Sequence, residues 1–448
     1  MAASRKPQPD PLEALLSHWP DELSGQCAFE VGLSGGLDSV ALLALLCRAR
    51  THRPGLAVSA VHVHHGLSPN ADAWAEHCRA LCAALRVPLR LERVSLVVSG
   101  GDSLEAVART ARYQVYRRSA AGVVALAHHL DDQAETVLLQ LLRGGGPRAL
   151  AAMPALRRLD AAGPWLWRPL LGLRRLQLEA WVQAEGLSWV EDESNRDERW
   201  RRNLLRQRLL PQLEAALPDY RRHLARSAGL LADAAAVLDE VAAQDLAACR
   251  LGDGLSLAAW RGLSEPRQRQ VLLAWLRVLE WPAPEPEALA EFQRQALQAG
   301  ADSCPRLALA SGLLYRYRDG VHALPALATP AAVPLAALDP AAECLVEGWG
   351  GVLSWAWRPR GLPAALLAQG LLLCPRQGGE RLASAVGRKP VKNFLQEAGI
   401  APPLRERWPL LCDAGGRLLA LPGVAVDADL AAGPGWWPCW RPLPASSG

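Results

Sequence analysis

Short apolar runs alternate with amphipathic segments along the first third of the chain. Four runs with the composition of β-strands are each followed by a segment whose apolar residues recur at helical spacing. We expect the strands in CAFEVGLS, LAVSAVHV, VPLRLERVSL and GVVALAHH, and the helices over residues 38–48, 71–85, 103–120 and 131–142. Repeated strand–helix units predict a parallel sheet covered by helices, with ligands at the carboxyl ends of the strands.

The pattern changes after residues 144–147. A helix is predicted over 201–216, and the chain from about 220 to 297 has mostly helical apolar spacing. A Pro- and Ala-rich stretch, LPALATPAAVPLAALDPAAE, is typical of a linker, and short strand-like pieces with one helix near 390–398 follow it. We therefore predict an α/β domain over 1–217, a helical domain over 218–325, and a linker with a small α+β domain over 326–448.

Composition adds limits to this outline. The chain has 448 residues, of which 50% are hydrophobic and 21% charged, so we expect a globular protein with more than one core. The net charge of +4 neither requires nor excludes a nucleic-acid partner. No signal peptide and no apolar run of membrane-spanning length is apparent, and the ten scattered cysteines include no repeated C-x-x-C pair. These features predict a cytoplasmic protein with reduced thiols and no membrane association.

The segment SGGLDS lies where the first strand turns into a helix. Glycines let the backbone approach an anion closely, and the N–H groups at the start of the next helix point to the same place. The stretch lacks the lysine of a Walker P-loop and is not a dinucleotide fingerprint. An ordinary glycine turn is the alternative to phosphate binding. The candidate loop comprises Ser34, Gly35, Gly36, Leu37, Asp38 and Ser39.

A second polar cluster, HHLDDQAET, follows the fourth strand. Asp131, Asp132 and Glu135 lie within about one helical turn, and the last two are i, i+3 neighbours on one helix face. Carboxylates near a phosphate site are natural Mg²⁺ ligands, and they also bind a substrate ammonium. The alternative is the usual enrichment of acidic residues at a helix N-terminus, which explains one acid better than three.

Two further charged segments have open interpretations. Arg109 and Arg112 share one helix in EAVARTARYQVY, where a solvated helix face is the alternative to anion binding. The segment EDESNRDERWRRNLLRQR contains Arg202 and Arg206, and either a phosphate or RNA contact or a salt-bridged surface helix accounts for it. The histidines in HVHHGLSPNADAW favour the edge of a substrate pocket over a metal site.

The chain has only three lysines, and two of them, Lys389 and Lys392, lie beside Arg388 in GRKPVKNF. In a chain that otherwise uses arginine, this cluster suggests a phosphate-binding surface, with an ordinary solvated turn as the alternative.

Together these segments resemble the tRNA(Ile)-lysidine synthetase family of the PP-loop ATP pyrophosphatase superfamily. SGGLDS by itself indicates only the superfamily, whereas HVHHGLSPNADAW, EAVARTARY, AHHLDDQAETVLLQLLRG, RPLL and EDESNRDERWRRNLLR appear in family order. The C-terminal stretch from CPRQGGERL to LLALPGVAV also resembles that family. One departure is Ser194, where many relatives have Pro-Thr before the asparagine.

The resemblance implies a PP-loop fold and a specific reaction. ATP adenylates the C2 carbonyl oxygen of the wobble cytidine in an isoleucine tRNA with a CAU anticodon, and pyrophosphate leaves. The ε-amine of free L-lysine then attacks C2 and expels AMP, which gives lysidine. Implied partners are therefore ATP, Mg²⁺, L-lysine and the tRNA, and a homodimer is left open.

By the same resemblance, the SGGLDS loop holds the pyrophosphate portion of ATP, and Asp38 and Asp132 bind Mg²⁺. Asp132 and Glu135 hold the lysine ammonium and help to deprotonate it. The arginines are expected to bridge phosphates and the tRNA backbone, and the C-terminal cluster is expected to bind tRNA. These cations are Arg109, Arg112, Arg202 and Arg206 in the first domain, and Arg388, Lys389 and Lys392 in the last.

Two alternatives compete with this function. A tRNA thiolase of the same superfamily requires a reactive cysteine arrangement, and Cys78 and Cys82 are expected on a helix away from the pocket. A non-catalytic tRNA-binding protein would retain the fold without needing the acidic cluster.

Overall fold

The computed structural model describes residues 10–96, 104–193, 199–300, 303–326, 328, 330–335 and 343–443. The chain divides into two compact units, Met1–Val237 and Leu238–Gly448. The finer division into three domains at residues 217 and 325 stays a prediction. Within the described residues, no helix combines the length and the apolar composition needed to cross a bilayer.

The first unit contains a six-stranded sheet with the order β3-β2-β1-β4-β6-β5. All neighbouring strands pair in parallel except β5, which is antiparallel to β6 at the edge. The predicted parallel α/β domain is therefore confirmed. Its strands are β1 (Ala28–Gly32), β2 (Ala57–His64), β3 (Leu89–Arg93), β4 (Val123–Ala125), β5 (Leu156–Arg158) and β6 (Trp165–Trp167).

Helices connect these strands much as the apolar spacing predicts, although Ser103, the predicted first residue of the third helix, lies outside the described residues. The helices are α1 (Pro11–Ser17), α2 (Leu37–Ala49), α3 (Ala71–Ala84), α4 (Leu104–Arg117), α5 (Leu130–Leu141), α6 (Pro147–Leu150), α7 (Arg175–Ala184), α8 (Arg201–Leu204), α9 (Leu210–Ala216) and α10 (Tyr220–Cys249). A π-helical turn, Leu205–Leu209, joins α8 to α9.

Helix α2 is the centre of the first core. Its sequence LDSVALLALLCRA is apolar around almost its whole circumference, so ten of its 13 residues are buried. Phe29 and Val31 of β1 and Trp167 of β6 belong to the same core. This packing fixes the N-terminus of α2 at the carboxyl edge of the sheet, next to the loops that follow β2, β4 and β6.

The second unit begins with helices and a five-stranded antiparallel sheet of order β7-β8-β11-β10-β9. Trp260, Trp275 and Phe292 are fully buried in its core. The helices confirm the predicted helical character of this region, whereas its strands were not predicted from the sequence. The elements are β7 (Arg250–Leu251), β8 (Gly254–Ser256), α11 (Leu257–Arg261), α12 (Glu265–Val278), α13 (Pro286–Gln298), β9 (Arg306–Leu309), β10 (Gly312–Tyr317) and β11 (Gly320–Pro325).

The last part of the chain is a small α+β module, as predicted. A five-stranded sheet of order β12-β15-β18-β19-β20 shares a core with a three-stranded sheet, β13-β14-β21, and β16 pairs with β17 in a hairpin. The elements are β12 (Val333–Leu335), β13 (Cys344–Val346), β14 (Gly351–Arg358), α14 (Ala364–Leu367), β15 (Leu371–Cys374), β16 (Arg381–Ser384), β17 (Gly387–Pro390), α15 (Val391–Glu397), α16 (Pro402–Glu406), β18 (Leu410–Asp413), β19 (Leu418–Leu421), β20 (Ala425–Val426) and β21 (Gly435–Pro442). Of the 20 residues of the predicted linker, 324–343, nine lie outside the described residues, and the described ones include the end of β11 and strand β12.

Candidate active site

The SGGLDS segment forms a tight loop between β1 and α2. The Ser39 hydroxyl accepts hydrogen bonds from the backbone N–H groups of Ser34 and Gly35, both at 3.2 Å, and donates to the Gly36 carbonyl at 2.9 Å. Among the described residues, no side chain caps α2, whose N-cap is Gly36. The N–H groups of the first turn of α2 therefore point toward the open end of the loop, as an anion site requires.

Gly35 is the residue on which the loop conformation depends. Its φ angle is +89°, in the left-handed region that residues with a Cβ rarely adopt. A Cβ built at this position would lie only 3.1 Å from both Cys78 Sγ and Val190 Cγ2. Both the backbone conformation and the space around this position therefore favour glycine.

Cys78 packs directly beneath this loop, so the expectation that it lies away from the pocket is wrong. Its Sγ is 3.4 Å from His62 Nδ1, and that ring nitrogen also lies 2.8 Å from the Leu33 carbonyl. Helix α3 turns Cys78 inward because it is on the apolar face that packs against the sheet. Burial raises the pKa of the Cys78 thiol to about 12, so the thiol is protonated and is not a nucleophile.

The carboxylates of α5 meet the basic helix α8 and the π-helical turn that follows it. Glu135 is 1% exposed and accepts hydrogen bonds from Arg202 Nε at 2.7 Å and from Arg206 Nε and Nη2 at 2.7 and 2.9 Å. Asp132 Oδ1 accepts from the Nη2 atoms of the same two arginines at 2.8 and 3.3 Å. These four side chains form a cluster of two carboxylates and two guanidinium groups, which we call the acid–arginine quartet.

His129 lies at the centre of the remaining carboxylates. Its Nε2 is 3.6 Å from Asp38 Oδ1 and 3.4 Å from Asp132 Oδ2, and its Nδ1 is 3.5 Å from Asp131 Oδ2. Burial by itself lowers the pKa of His129, but the surrounding carboxylates outweigh burial and raise it to about 10. The imidazole is therefore a cation. This position was not predicted, because two adjacent histidines in a sequence do not reveal which one is buried among acids.

Asp131 is turned away from the quartet and joins other elements. It accepts from the backbone N–H of Arg175 at 2.9 Å and from Arg221 Nε at 2.5 Å. Hydrogen bonds from His129 and Arg175 and the charge of Arg221 outweigh burial and hold the pKa of Asp131 far below its usual range. The structure thus separates the three acids: Asp131 anchors α7 and α10, whereas Asp132 and Glu135 bind the two arginines.

Asp38 carries a buried acceptor for which the described residues provide no hydrogen bond. Its Oδ1 is buried, and the nearest cationic atoms, His129 Nε2 and Arg175 Nε, are 3.6 and 3.8 Å away. Such an oxygen is suited to a hard cation, which prefers oxygen ligands. Within the described part of the chain, no group of three or more histidine, cysteine or acidic side chains is arranged to hold a metal ion by itself.

Arg109 and Arg112 lie outside the quartet. Arg109 donates from Nη2 to the Tyr113 hydroxyl at 3.3 Å, and its Cζ is 5.1 Å from the ring centre. Arg112 is exposed, and its charge adds to burial in lowering the pKa of His65 to about 4. Both arginines are therefore accessible to solvent.

In the second unit, the basic cluster lies on the β16–β17 hairpin and the start of α15. Arg388 and Lys392 are exposed. Lys389 forms an ion pair with Glu397, and its Nζ is 5.1 Å from the centre of the Phe394 ring. Two of the three predicted cations thus point to solvent, and the third is partly compensated.

Comparisons with known proteins match most of the chain. Family models match a PP-loop domain over residues 11–213, a TilS substrate binding domain over 255–322 and a TilS substrate C-terminal domain over 371–440. A tRNA(Ile)-lysidine synthase of Chromobacterium violaceum is 62% identical over 432 residues, which cover 96% of this chain and 99% of that protein. One of Pseudomonas aeruginosa is 41% identical over 450 residues, covering 96% and 97%.

Among solved structures, the U34-tRNA thiolase NcsA of Methanococcus maripaludis matches with a TM-score of 0.42 and 16% identity, over 49% of this chain and 78% of that one. The high-identity similarity over nearly the full length is with the lysidine synthases.

Proposed function

Because the chain belongs to the tRNA(Ile)-lysidine synthase family, we propose that it catalyses the reaction of those relatives, as the sequence predicts. ATP adenylates O2 of the wobble cytidine of CAU-anticodon tRNA(Ile) and pyrophosphate leaves. The ε-amine of free L-lysine then forms a bond to C2, and AMP leaves with the former carbonyl oxygen. The thiolase alternative is not favoured, because the full-length relatives are lysidine synthases and the Cys78 thiol beneath the loop is protonated.

The activation step is assigned to the loop between β1 and α2. Its backbone N–H groups, the Ser34 and Ser39 hydroxyls and the N-terminus of α2 would bind the phosphates of ATP, which gain charge as pyrophosphate leaves. The PP-loop domain that covers residues 11–213 implies ATP binding. The left-handed conformation of Gly35 and the lack of space for a Cβ there support this role, because the backbone can bind phosphate oxygens only if no side chain intervenes.

Mg²⁺ is the second part of this step. The buried Oδ1 of Asp38, which has no hydrogen-bond donor among the described residues, fits such an ion. Asp132 is the second predicted ligand, although both its oxygens already accept hydrogen bonds, from Arg202 and from the His129 backbone. Mg²⁺ generally uses one or two carboxylates together with substrate phosphates and water, and it would neutralise phosphate charge here.

The acid–arginine quartet is the observation that carries the proposal for L-lysine. It holds two negative and two positive groups, and it is therefore complementary to an amino acid that carries a carboxylate and ammonium groups. Asp132 and Glu135 would accept hydrogen bonds from an ammonium group of L-lysine. The guanidinium of Arg202 or Arg206, once released from these carboxylates, would bind the α-carboxylate of L-lysine. Attack requires a neutral ε-amine, so removal of its proton by one of these carboxylates completes the role predicted for them.

The tRNA would be bound by cations in both units. Arg388, Lys389 and Lys392 on the β16–β17 hairpin and α15 are proposed to contact phosphates, since two of them are exposed. The target base must be unstacked to reach the pocket. A cytoplasmic location and a homodimer stay predictions.

The test is a reconstituted reaction with ATP, L-lysine and defined tRNA transcripts, in which AMP release and lysine incorporation are followed together. Both are expected only with tRNA(Ile) bearing the CAU anticodon. The matched control is the same transcript with uridine at the wobble position, which lacks the cytosine that receives the amine. Incorporation into both transcripts, or binding of tRNA without AMP release, would contradict the proposal.

A further inference from the structure

Arg168 is a buried arginine that forms no ion pair with a carboxylate of the described residues. It follows β6 directly, in the RPLL segment, and is only 3% exposed. Its guanidinium donates to the Pro154 carbonyl at 2.8 Å, to His128 Nδ1 at 3.3 Å and to the Tyr113 hydroxyl at 3.3 Å. None of these acceptors carries a negative charge. Burying a charge without an opposite one is costly, so a buried arginine with only neutral acceptors is a candidate for binding an anion.

Two further arginines surround the same tyrosine. Arg109 Nη2 donates to the Tyr113 hydroxyl at 3.3 Å, and Arg157 Cζ lies 5.5 Å from the centre of the ring. No carboxylate of the described residues forms an ion pair with Arg109, Arg157 or Arg168. We call Tyr113 and these three arginines the tyrosine–arginine cluster. Although burial opposes it, the three positive charges lower the pKa of Tyr113, which indicates a strongly positive local potential.

The geometry leaves groups that can donate to an incoming anion. The Tyr113 oxygen accepts from Arg109 and Arg168, so its own hydrogen is available for donation away from them. Arg109 is exposed and Arg157 is half-buried, so an anion in solvent has access to both side chains. Arg168 lies behind them and fixes the position of Tyr113.

Arg168 also connects the cluster to the reacting centre. Its Nε donates to His128 Nδ1, which therefore accepts and leaves the hydrogen of the neutral ring on Nε2. Burial, assisted by Arg168 and other cations, lowers the pKa of His128 to about 3, so the ring is neutral. The next residue along the chain is His129, which contacts Asp38 and Asp132. His128, which contacts Arg168, is thus adjacent in sequence to His129, which contacts the carboxylates of Asp38 and Asp132.

We propose that the tyrosine–arginine cluster binds a phosphate group beside the reacting centre, with Arg109, Arg157 and Tyr113 in contact with its oxygens and Arg168 as a positioning residue. Guanidinium groups match phosphate oxygens in geometry and keep their charge at any pH. This inference rests on the proposed function, which supplies two sources of phosphate: the backbone of the RNA near the target nucleotide and the triphosphate of ATP. A backbone phosphate of the RNA is the expected ligand, because the SGGLDS loop already accounts for ATP.

The test compares Arg157→Gln with Arg158→Gln in the full-length protein. Arg158 is the neighbouring residue on β5, and its guanidinium lies over the ring of Trp165 instead of Tyr113. Its replacement by glutamine removes the same charge as Arg157→Gln. Binding of tRNA(Ile) is measured without ATP at several salt concentrations, and the KM for ATP is measured at saturating tRNA. Loss of one phosphate contact in single-stranded RNA is expected to reduce the salt slope by about 0.7 and to weaken binding about fourfold at 0.15 M salt.

Two outcomes support the phosphate site and identify its ligand. A lower tRNA affinity and salt slope with unchanged KM for ATP assigns the RNA, whereas a higher KM for ATP with unchanged tRNA binding assigns the triphosphate. Equal behaviour of Arg157→Gln and Arg158→Gln in both measurements overturns the proposal. Tyr113→Phe, which retains the ring, is expected to shift the same parameter as Arg157→Gln. The tRNA measurement needs no turnover, so a wild-type protein that fails to incorporate lysine contradicts the proposed function and not the cluster.

Discussion

Replacement of Glu135 by glutamine tests the acid–arginine quartet most directly. The carboxylate is 1% exposed and accepts three hydrogen bonds from Arg202 and Arg206. Glutamine has nearly the same shape, but it places an amide NH₂ against guanidinium donors and removes the negative charge. Removal of one partner from a buried ion pair costs about 3–5 kcal/mol. Because the arginine side chains are 33% and 38% exposed, water screens part of this loss, and we expect about 3 kcal/mol.

The assay is thermal unfolding of the full-length protein, followed by calorimetry. For a unit of the size of Met1–Val237, about 3 kcal/mol corresponds to a Tm lower by about 6–12 °C. In Glu135→Gln, Arg202 and Arg206 share the single carboxylate of Asp132. The double variant Glu135→Gln, Arg206→Met removes one of these two cations, so we expect it to regain part of the lost stability without regaining lysine incorporation. Glu76→Gln, which breaks an exposed ion pair with Arg79, is the control and should change Tm by less than about 2 °C.

A Tm for Glu135→Gln that equals that of Glu76→Gln would refute the reasoning, since it would mean that the quartet is solvated or not formed. A double variant that is less stable than either single change would refute the charge argument specifically.

Three further predictions concern the loop and its surroundings. In Gly35→Ala, residue 35 must adopt an unfavourable φ at a cost of about 1–2 kcal/mol and displace Cys78 or Val190, so the rate of ATP-dependent pyrophosphate release should fall at least tenfold. The control is Gly25→Ala, whose position has open space around it and whose rate should be unaffected. Equal rates for the two variants would show that the loop tolerates a side chain. Asp38→Asn should abolish AMP formation while leaving tRNA affinity nearly unchanged, and full turnover would remove Asp38 from the mechanism. Cys78, with its pKa raised to about 12, should resist alkylation at pH 8 in peptide mapping while the exposed Cys27 reacts, and equal labelling would contradict its burial under the loop.

The sequence was sufficient for features that depend on local pattern. The apolar run of α2 and the glycines before it predicted a buried helix with an open N-terminus, because both signals lie within fifteen residues. The spacing of Asp132 and Glu135 likewise predicted a shared helix face. Antiparallel strands β9 to β11 were not predicted, since their pairing becomes apparent only in three dimensions.

Long-range pairing explains what the sequence could not determine. The helix with Arg202 and Arg206 had two open interpretations, and the structure shows its arginines bound to buried carboxylates some 70 residues earlier. The same limit applies to Cys78, because a helix predicted from sequence does not indicate which residues its inner face contacts. Arg168 was noted only as part of a motif, because the lack of a counter-ion among the described residues is a property of its surroundings in space and not of its neighbours in the chain.

The exclusive use of arginine around Glu135 has a chemical consequence for selectivity. An adenylated cytosine is an electrophile, and any neutral amine held near it would compete with the free amino acid. A guanidinium retains its proton at every accessible pH, so neither Arg202 nor Arg206 is a nucleophile. The chain has lysine only at positions 6, 389 and 392, so no lysine occurs between residues 10 and 237. Within residues 10–237, the activated RNA therefore meets no side chain with a primary amine. Arg202→Lys would introduce such an amine, and its attack on the activated cytosine would attach the enzyme covalently to its own substrate.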